Sequence, residues 1–316
     1  MNDVSELGPP AAAIDLGTET ALLVIGRHLP DGSLEVLEDH CLATRLGAGL
    51  ALGGASGARL DPRAVERTLD VLETFVRRIE LAGVAPERVR AAGTAALRAA
   101  GDASSFLAAA VARCGLHFEV LTPDREAALS FDAVLADGAS RDVVVIDLGG
   151  GSAEVIRGGG QERFSVPLGA VVATDRWLGG AERLEPIDPK SWSAFRAAAR
   201  DLAADLPDGA ARGAELVLLG GTASNLACLD RGLESYEPRL AQGWTLAAAA
   251  AGAWAERLAA LGLEERMDHP IEPGRAGILP GGLGCLAAVL ERLGATEGRV
   301  SGRGLRYGLL REALAP

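Results

Sequence analysis

The sequence is short of lysine and cysteine. Lys190 is the only lysine among 31 basic residues, which excludes a P-loop lysine and leaves phosphate contacts to arginine, whose guanidinium binds phosphate oxygens bidentately. Aromatic residues make up only 4% of the chain. The four cysteines lack the paired spacing of zinc ligands or of a disulfide framework, so we expect them to be reduced and mostly buried. They are Cys41, Cys114, Cys228 and Cys285.

Long apolar runs and an excess of basic residues are also missing. No apolar run reaches the roughly 18 to 20 residues of a membrane helix, and residues 1–10 are polar and acidic, unlike a signal peptide. The net charge of −12 argues against a broad nucleic-acid-binding surface, although a local positive potential can still attract an anion. We therefore expect a cytoplasmic protein that binds neither nucleic acid nor membranes. Its 316 residues are enough for two ordinary domains.

The most informative stretch lies near the middle of the chain. The β-branched residues 143–146 predict a buried strand, which leads into Asp147 and three consecutive glycines, 149–151. Glycine lets backbone N–H groups approach a ligand closely, and a carboxylate at a strand end suits hydrated Mg²⁺ carrying phosphate. A glycine-rich hairpin turn is the alternative interpretation.

The tetrapeptide Ile-Asp-Leu-Gly of this stretch occurs a second time. Residues 14–17 repeat it, and an apolar run follows at 21–25, so the chain resembles a duplication. A third glycine turn, residues 220–225, joins a buried strand to a helix N-terminus, where the macrodipole favours anions. Two similar lobes that each offer an Asp and a phosphate-binding turn to a shared cleft are typical of the actin-like, sugar-kinase and Hsp70-type superfamily.

Strands and helices alternate along the rest of the chain. Strands are predicted at 34–45, 89–92, 118–121 and 216–219. Helices are predicted to start at Pro62 and to cover 103–114, 188–206 and 244–261, and a helix after 272–282 is expected to be interrupted near Pro280. Thr122-Pro123 predicts a helix start that places Glu126 in the first turn, where a glutamate is ordinarily only a partner of the helix dipole.

Six blocks in sequence order resemble the exopolyphosphatase / guanosine pentaphosphate phosphohydrolase family of the actin-like superfamily. They are residues 14–18, 93–98, 147–154, 220–222, 273–276 and 304–308. The resemblance implies an α/β, actin-like ATPase (ribonuclease H-like) fold in duplicate, with two lobes and a cleft between them. It divides the chain into lobes 1–123 and 124–316, with a last helix, about 303–316, that packs back on the first lobe.

The resemblance also implies a set of site residues. Glu126 occupies the position of the family's catalytic carboxylate, which would orient or deprotonate water. Mg²⁺, or another divalent cation, would be held by Asp15, Asp147 and Glu154. The residues expected to bind phosphate are Gly17, Thr18, Thr20, Arg98, Gly149, Gly150, Gly151, Ser152, Gly221, Thr222 and Arg275. Arg45 and Arg306 are weaker candidates.

Three positions depart from the family pattern. Glu19 adds a negative charge to the first phosphate motif, Leu22 removes an arginine from it, and Gln242 replaces a histidine that often precedes glycine. Lower phosphate affinity or a different substrate would follow. The chain resembles the short, two-lobed members of the family, so we expect less processivity on long polyphosphate.

The resemblance implies a Mg²⁺-dependent phosphohydrolase that releases phosphate from polyphosphate, guanosine pentaphosphate or both. One alternative is an actin-like ATPase or kinase with an adenosine pocket near residues 220–225. Another is a weakly catalytic sensor that binds polyphosphate or a phosphorylated guanosine alarmone, because Glu19 and Leu22 would weaken catalysis. A homodimer is expected.

Overall fold

The computed structural model describes residues 7–50 and 58–315 and divides the chain into two compact units. The first unit comprises residues 1–133 and 305–316, and the second comprises 134–304. Residues 1–6, most of the segment in which we predicted no signal peptide, lie outside the described residues. Within the described ranges, every helix is too short or too polar to span a bilayer.

Eleven strands and twelve α-helices are found in the described residues. The strands are β1 (Ala11–Leu16), β2 (Thr20–His28), β3 (Leu34–Ala43), β4 (Val89–Gly93), β5 (Phe118–Val120), β6 (Val144–Leu148), β7 (Ala153–Arg157), β8 (Glu162–Val166), β9 (Leu216–Leu219), β10 (Thr245–Ala247) and β11 (Glu297–Val300). The helices are α1 (Pro62–Leu81), α2 (Ala95–Ala99), α3 (Ala103–Cys114), α4 (Pro123–Ala136), α5 (Ala170–Trp177), α6 (Pro189–Ala203), α7 (Gly221–Asp230), α8 (Pro238–Ala241), α9 (Ala248–Ala259), α10 (Leu263–Met267), α11 (Leu279–Leu293) and α12 (Leu305–Leu314).

The same sheet topology occurs in both units. In the first sheet the strand order is β3-β2-β1-β4-β5, in which β1 to β3 are antiparallel neighbours and β1, β4 and β5 are parallel. The second sheet repeats this order as β8-β7-β6-β9-β11 and adds β10 at its edge. The predicted α/β class and the actin-like duplication are therefore confirmed, and Asp15 and Asp147 occupy equivalent places on β1 and β6.

Small residues on β1 allow helices to pack on both faces of the first sheet. Ala12, Ile14 and Leu16 alternate toward the core formed with α1 and α3. Ala11 and Ala13 face the opposite core, which contains residues of α4 and α12. The two helices approach closely there, because a Cβ added at Gly308 would lie 2.4 Å from the Leu129 carbonyl oxygen. α12 is thus part of the first unit although it follows the second in sequence.

The second unit is built around α11, which is buried along nearly its whole length. The predicted interruption near Pro280 is wrong, since α11 is continuous there. This proline lies in the first turn of the helix, where a missing N–H has no cost. Glycines on α11 allow close contacts with neighbouring helices. A Cβ on Gly284 would lie 2.5 Å from the Phe195 ring, and one on Gly282 would lie 2.7 Å from the Thr222 hydroxyl.

The helix predicted over 244–261 begins later, at Ala248. Residues 245–247 instead form β10, which pairs antiparallel with β11, and Leu246 is buried beneath the sheet. The alanine-rich sequence favours a helix locally, but pairing with a strand distant in sequence wins at these three residues.

All four cysteines are free. Cys228 and Cys285 are buried, Cys114 is partly buried and Cys41 is exposed. The prediction of reduced cysteines fits this arrangement, but only two of the four are buried.

Candidate functional site

The first glycine turn joins β1 to β2 through a tight backbone hydrogen bond. The Gly17 N–H donates to the Thr20 carbonyl oxygen at 2.9 Å. Thr18 is buried, and its carbonyl oxygen accepts from the Gly47 N–H at 2.9 Å. The 44–50 segment therefore packs directly against the turn, since a Cβ added at Gly47 would lie 2.3 Å from the Thr18 methyl group.

Glu19 is paired with an arginine. Its carboxylate accepts from Arg45 Nε at 3.1 Å, and its carbonyl oxygen accepts from the N–H groups of Thr44 and Arg45, both at 2.9 Å. Arg45 has a φ of 51°, a left-handed conformation that non-glycine residues rarely adopt. The extra charge that distinguishes this turn from the family pattern is thus offset by a cation within the same unit.

Asp15 lies near the end of β1 and carries the first of the candidate site's carboxylates. Its Oδ1 atom is buried and has no partner among the described residues. Burial and the nearby negative charge of Glu126 raise its pKa from an ordinary 3.8 to about 7, although Arg306 opposes the shift. A divalent cation would relieve both effects, so this side chain fits a metal ligand.

Glu126 lies in the first turn of α4, as predicted, and is bound by Arg98. Arg98 Nη1 donates to Glu126 Oε2 and to the Leu121 carbonyl oxygen, both at 2.8 Å. The Oε1 atom of Glu126 has no hydrogen bond to any residue that the structure describes. Arg98 therefore fixes one edge of the carboxylate, and the other edge can accept a hydrogen bond from water.

Arg306 makes a bidentate pair with Asp39 on β3. Its Nε and Nη2 atoms donate to the two Asp39 oxygens at 3.0 and 3.1 Å, and the Tyr307 hydroxyl donates to Oδ2 at 2.7 Å. The carboxylate raises the pKa of Arg306 against the opposing effect of burial. Arg306 is a weaker phosphate-binding candidate. It lies close enough to Asp15 to lower the pKa of that carboxyl, but its guanidinium is already paired with Asp39.

The second glycine turn repeats the geometry of the first. The Gly149 N–H donates to the Ser152 carbonyl oxygen at 3.0 Å. The carbonyl oxygens of Gly149 and Gly150 accept from the first N–H groups of α5, at Ala170 and Val171. The N–H groups of Gly150 and Gly151 have no acceptor in the described part of the chain, so they are available to an anion.

Asp147 and Glu154 face each other across β6 and β7. The Ser152 and Ser165 hydroxyls donate to Glu154 Oε1 at 2.5 and 3.1 Å, which fixes this carboxylate. At the equivalent place in the first unit, Leu22 stands opposite Asp15. The second unit therefore offers two carboxylates at its turn, whereas β1 and β2 of the first offer one.

The third glycine turn connects β9 to α7 and lies against Asp147. Gly220 has a φ of 95°, and a Cβ there would lie 2.5 Å from the Leu148 carbonyl oxygen and 3.5 Å from Asp147 Oδ1. Gly221 is covered by Arg275, whose guanidinium carbon would lie 2.3 Å from an added Cβ. Thr222 is buried, and its hydroxyl would lie 2.7 Å from a Cβ added at Gly282 on α11.

Gln242 links two parts of the second unit. Its Nε2 atom donates to Asp137 Oδ2 at 2.7 Å, and its Oε1 atom accepts from the Gly302 N–H at 2.7 Å. One face of the amide donates and the other accepts, which a neutral histidine can also do with its two ring nitrogens. This departure from the family pattern therefore keeps a structural hydrogen-bonding role.

The described residues contain no cluster of three or more His, Cys, Asp or Glu side chains placed to hold a metal ion. Mg²⁺ commonly keeps several waters and takes only one or two protein carboxylates, so its requirements are small. Within the first unit the unpartnered Asp15 oxygen fits such an ion, and within the second unit the facing pair Asp147 and Glu154 does.

Several residues around these turns were missed from the sequence. Contacts with predicted site residues, or with the segments that carry them, are made by Asp39, Gly169 and Glu272. Only Glu272 had a local signal, since it stands three residues before Arg275, a spacing at which opposite charges can pair. Asp39 lies within a strand far from Arg306 in sequence, so no local pattern connects them.

Metal-free protein is expected to lose stability as the pH rises through about 7. The pKa of Asp15 in the folded protein lies above its ordinary value, so the protonated side chain stabilises the fold fully below about pH 4. This stabilisation is lost as the pH rises from about 4 to about 7. We expect Asp15→Asn to raise the free energy of unfolding at pH 8 in EDTA by about 1 to 3 kcal/mol. This is less than the full shift because Oδ1 is buried but the residue as a whole is only partly buried.

Urea unfolding at pH 5 and pH 8 measures this difference. Asp132→Asn, at an exposed position on α4, is the control. An equal effect of Asp15→Asn at both pH values would contradict the prediction.

Comparison with known proteins gives a consistent result. Residues 25–315 match the model of the Ppx/GppA phosphatase family. The guanosine-5'-triphosphate,3'-diphosphate pyrophosphatase of Aliivibrio fischeri is 29% identical over 313 residues, which are 96% of this chain and 59% of that protein. The protein of the same name from Vibrio vulnificus is 29% identical over 336 residues, with coverage of 97% and 60%. The chain thus spans about three fifths of the length of these relatives.

Solved structures match over nearly their whole length. The Aquifex aeolicus member of the Ppx/GppA family has a TM-score of 0.77 and 28% identity, with 97% of this chain and 98% of that chain covered. An exopolyphosphatase-like protein has a TM-score of 0.81 and 25% identity, with coverage of 96% and 98%.

Proposed function

Because the chain belongs to the Ppx/GppA phosphatase family, we propose that it is a Mg²⁺-dependent phosphohydrolase that removes the terminal phosphate of a phosphoanhydride chain. Inorganic polyphosphate and guanosine pentaphosphate are the proposed substrates. A cytoplasmic location and a homodimer remain predictions.

The observation that carries the proposal is the group formed by Asp15, Glu126 and Arg98. Glu126 is close enough to Asp15 to raise its pKa, and Arg98 holds one Glu126 oxygen at 2.8 Å. A fixed carboxylate beside a second carboxylate that fits a metal ion suits hydrolysis of a phosphoanhydride, because the water must be oriented and the phosphate charge offset.

In the proposed mechanism, Glu126 Oε1 accepts a proton from water as the water oxygen attacks the terminal phosphorus. The bond from phosphorus to the bridging oxygen breaks, which releases inorganic phosphate and a chain one phosphate shorter. Backbone N–H groups of Gly150 and Gly151 would bind phosphate oxygens. Asp15, Asp147 and Glu154 are the residues that would hold Mg²⁺, which would neutralise charge on the phosphate chain.

Phosphate release from long-chain polyphosphate, guanosine pentaphosphate and ATP in the presence of Mg²⁺ tests the proposal. Release from either of the first two substrates supports it and ranks them. Hydrolysis of ATP alone, or of none of the three, would contradict it.

The ATPase or kinase alternative receives no support from the third turn. It requires an adenosine pocket near residues 220–225, but Thr222, Ala223 and Asn225 are all buried against neighbouring elements. Arg275 covers Gly221 in addition. A purine ring would need these side chains to rearrange.

A weakly catalytic sensor is a second candidate, which the substitution of Leu22 at the first turn favours. Glu19 argues less strongly for it, because Arg45 balances its charge. Binding of polyphosphate without phosphate release would identify the sensor.

Removing the Glu19 carboxylate is expected to strengthen substrate binding. Glu19→Gln keeps the shape of the side chain and leaves the Arg45 charge without its carboxylate, so KM for polyphosphate should fall about two- to fivefold with little change in kcat. Steady-state kinetics measure this, with Glu38→Gln, which breaks contacts with His40 and Arg78 further along β3, as the control. An unchanged or higher KM would show that Glu19 does not repel substrate.

A further inference from the structure

The guanidinium of Arg275 lies over the N-terminal turn of α7, where its charge is electrostatically unfavourable. It occupies the space that a side chain at position 221 would need. The first N–H groups of a helix lack intrahelical acceptors and carry a partial positive charge, which repels a cation. A nearby negative charge would offset this repulsion.

Glu272 supplies the opposing charge. Its carboxylate forms an ion pair with Arg275 Nε, and the two side chains are only 10% and 14% exposed. The Arg275 N–H also donates to the Glu272 carbonyl oxygen at 3.0 Å, so the two residues belong to one turn. A largely buried carboxylate binding the guanidinium limits the directions in which its remaining N–H groups can point.

Asn225 attaches this turn to α7. It is 0% exposed, its Nδ2 atom donates to the Gly221 carbonyl oxygen at 2.8 Å, and its Oδ1 atom accepts from the Glu272 N–H at 2.7 Å. The amide thereby connects the glycine beneath the guanidinium with the residue that pairs with it. The hydrogen bond from Glu272 is buried and the one to Gly221 is partly buried, so their loss would be costly.

We infer that Glu272 and Asn225 are positioning residues, which act through Arg275 to hold its guanidinium at the α7 N-terminus for a substrate phosphate. The inference rests on the proposed function, since it takes a phosphate chain as the anion. The same arrangement explains why residue 221 is glycine, because only a residue without a Cβ leaves room for the guanidinium. Glu272 also balances the Arg275 charge before substrate binds.

Glu272→Gln tests the inference because it removes the charge and keeps the shape. We expect KM for tripolyphosphate to rise about tenfold while kcat changes less than about threefold, the pattern of a lost ground-state contact. Glu215→Gln is the matched control. It breaks the pair with Arg299 in the same unit, at the opposite end of β9 from Gly220. Equal kinetics for Glu272→Gln and wild type would overturn the inference.

Chemical rescue separates positioning from general structure. Arg275→Ala should lose tripolyphosphate affinity and recover part of it when guanidinium chloride is added at concentrations that do not unfold the protein. The same salt should not rescue Arg275→Ala combined with Glu272→Gln, because the carboxylate that receives the guanidinium is then missing. Equal rescue of both variants would contradict a role for Glu272.

Asn225→Ala should weaken tripolyphosphate binding as Glu272→Gln does. A normal KM in this variant would remove Asn225 from the inference.

A binding measurement distinguishes failure of this inference from failure of the proposed function. Calorimetric titration of tripolyphosphate compares wild type with Glu272→Gln whether or not phosphate is released. If wild type binds without hydrolysis, the proposed function fails, and weaker binding by the variant still supports the inference. If wild type hydrolyses and the variant binds equally well, only the inference fails. If wild type neither binds nor hydrolyses, both fail.

Discussion

Glu126→Gln is expected to reduce kcat for phosphate release about 100- to 10,000-fold, the usual contribution of a positioned general base. Glutamine keeps the contact with Arg98 but cannot take a proton from water. Binding of tripolyphosphate should change little, because the phosphate contacts proposed here come from backbone N–H groups and arginines. Single-turnover phosphate release and calorimetric titration measure the two quantities separately.

Glu119→Gln is the matched control for this prediction. Glu119 lies on β5, seven residues before Glu126, and is exposed, so its loss should leave kcat unchanged. A Glu126→Gln variant that retains more than about a tenth of the wild-type kcat would show that another group activates the water. A large loss of affinity in the variant would indicate a binding role instead.

Gly169→Ala is expected to abolish most activity and to lower the free energy of unfolding by about 2 to 3 kcal/mol through overpacking. An added Cβ would lie 2.3 Å from the carbon and oxygen of the Gly150 carbonyl and 2.4 Å from the Gly151 carbonyl carbon. These are backbone atoms, so the whole turn must move. The N–H groups of Gly150 and Gly151 would then leave the positions proposed for phosphate binding.

Urea unfolding and phosphate-release assays on Gly169→Ala measure the two effects. Gly252→Ala on α9 is the control, because its Cβ would meet only the Ala287 methyl group at 3.9 Å and alanine favours a helix. We expect that control to be neutral or stabilising. Wild-type activity in Gly169→Ala would show that the exact position of the second turn is unimportant.

The sequence was most informative where a residue's environment is set by its close neighbours. The repeat Ile-Asp-Leu-Gly predicted the duplicated strand and turn, because a buried strand followed by glycine allows few other conformations. Thr122-Pro123 likewise predicted the start of α4 and placed Glu126 in its first turn. These predictions depend on hydrogen bonds and steric limits that act within a few residues.

Local patterns failed where a distant partner decided the outcome. The alanine-rich sequence around residues 245–247 favours a helix, but β11 supplies backbone hydrogen bonds that make it a strand. Nothing near Arg306 indicates that it pairs with Asp39, and nothing near Glu19 indicates that it pairs with Arg45. Each pair joins residues that only the folded chain brings within hydrogen-bonding distance.

By itself, the sequence determined the α/β class, the duplication, the family and the short segments that carry the candidate site. Only the tertiary structure decided which arginines meet carboxylates of the protein, which glycines leave room for another chain segment, and that Asp15 lies beside Glu126. The physical reason is that strand and turn conformations follow from interactions between near neighbours, whereas ion pairs and close packing depend on how elements distant in sequence are brought together.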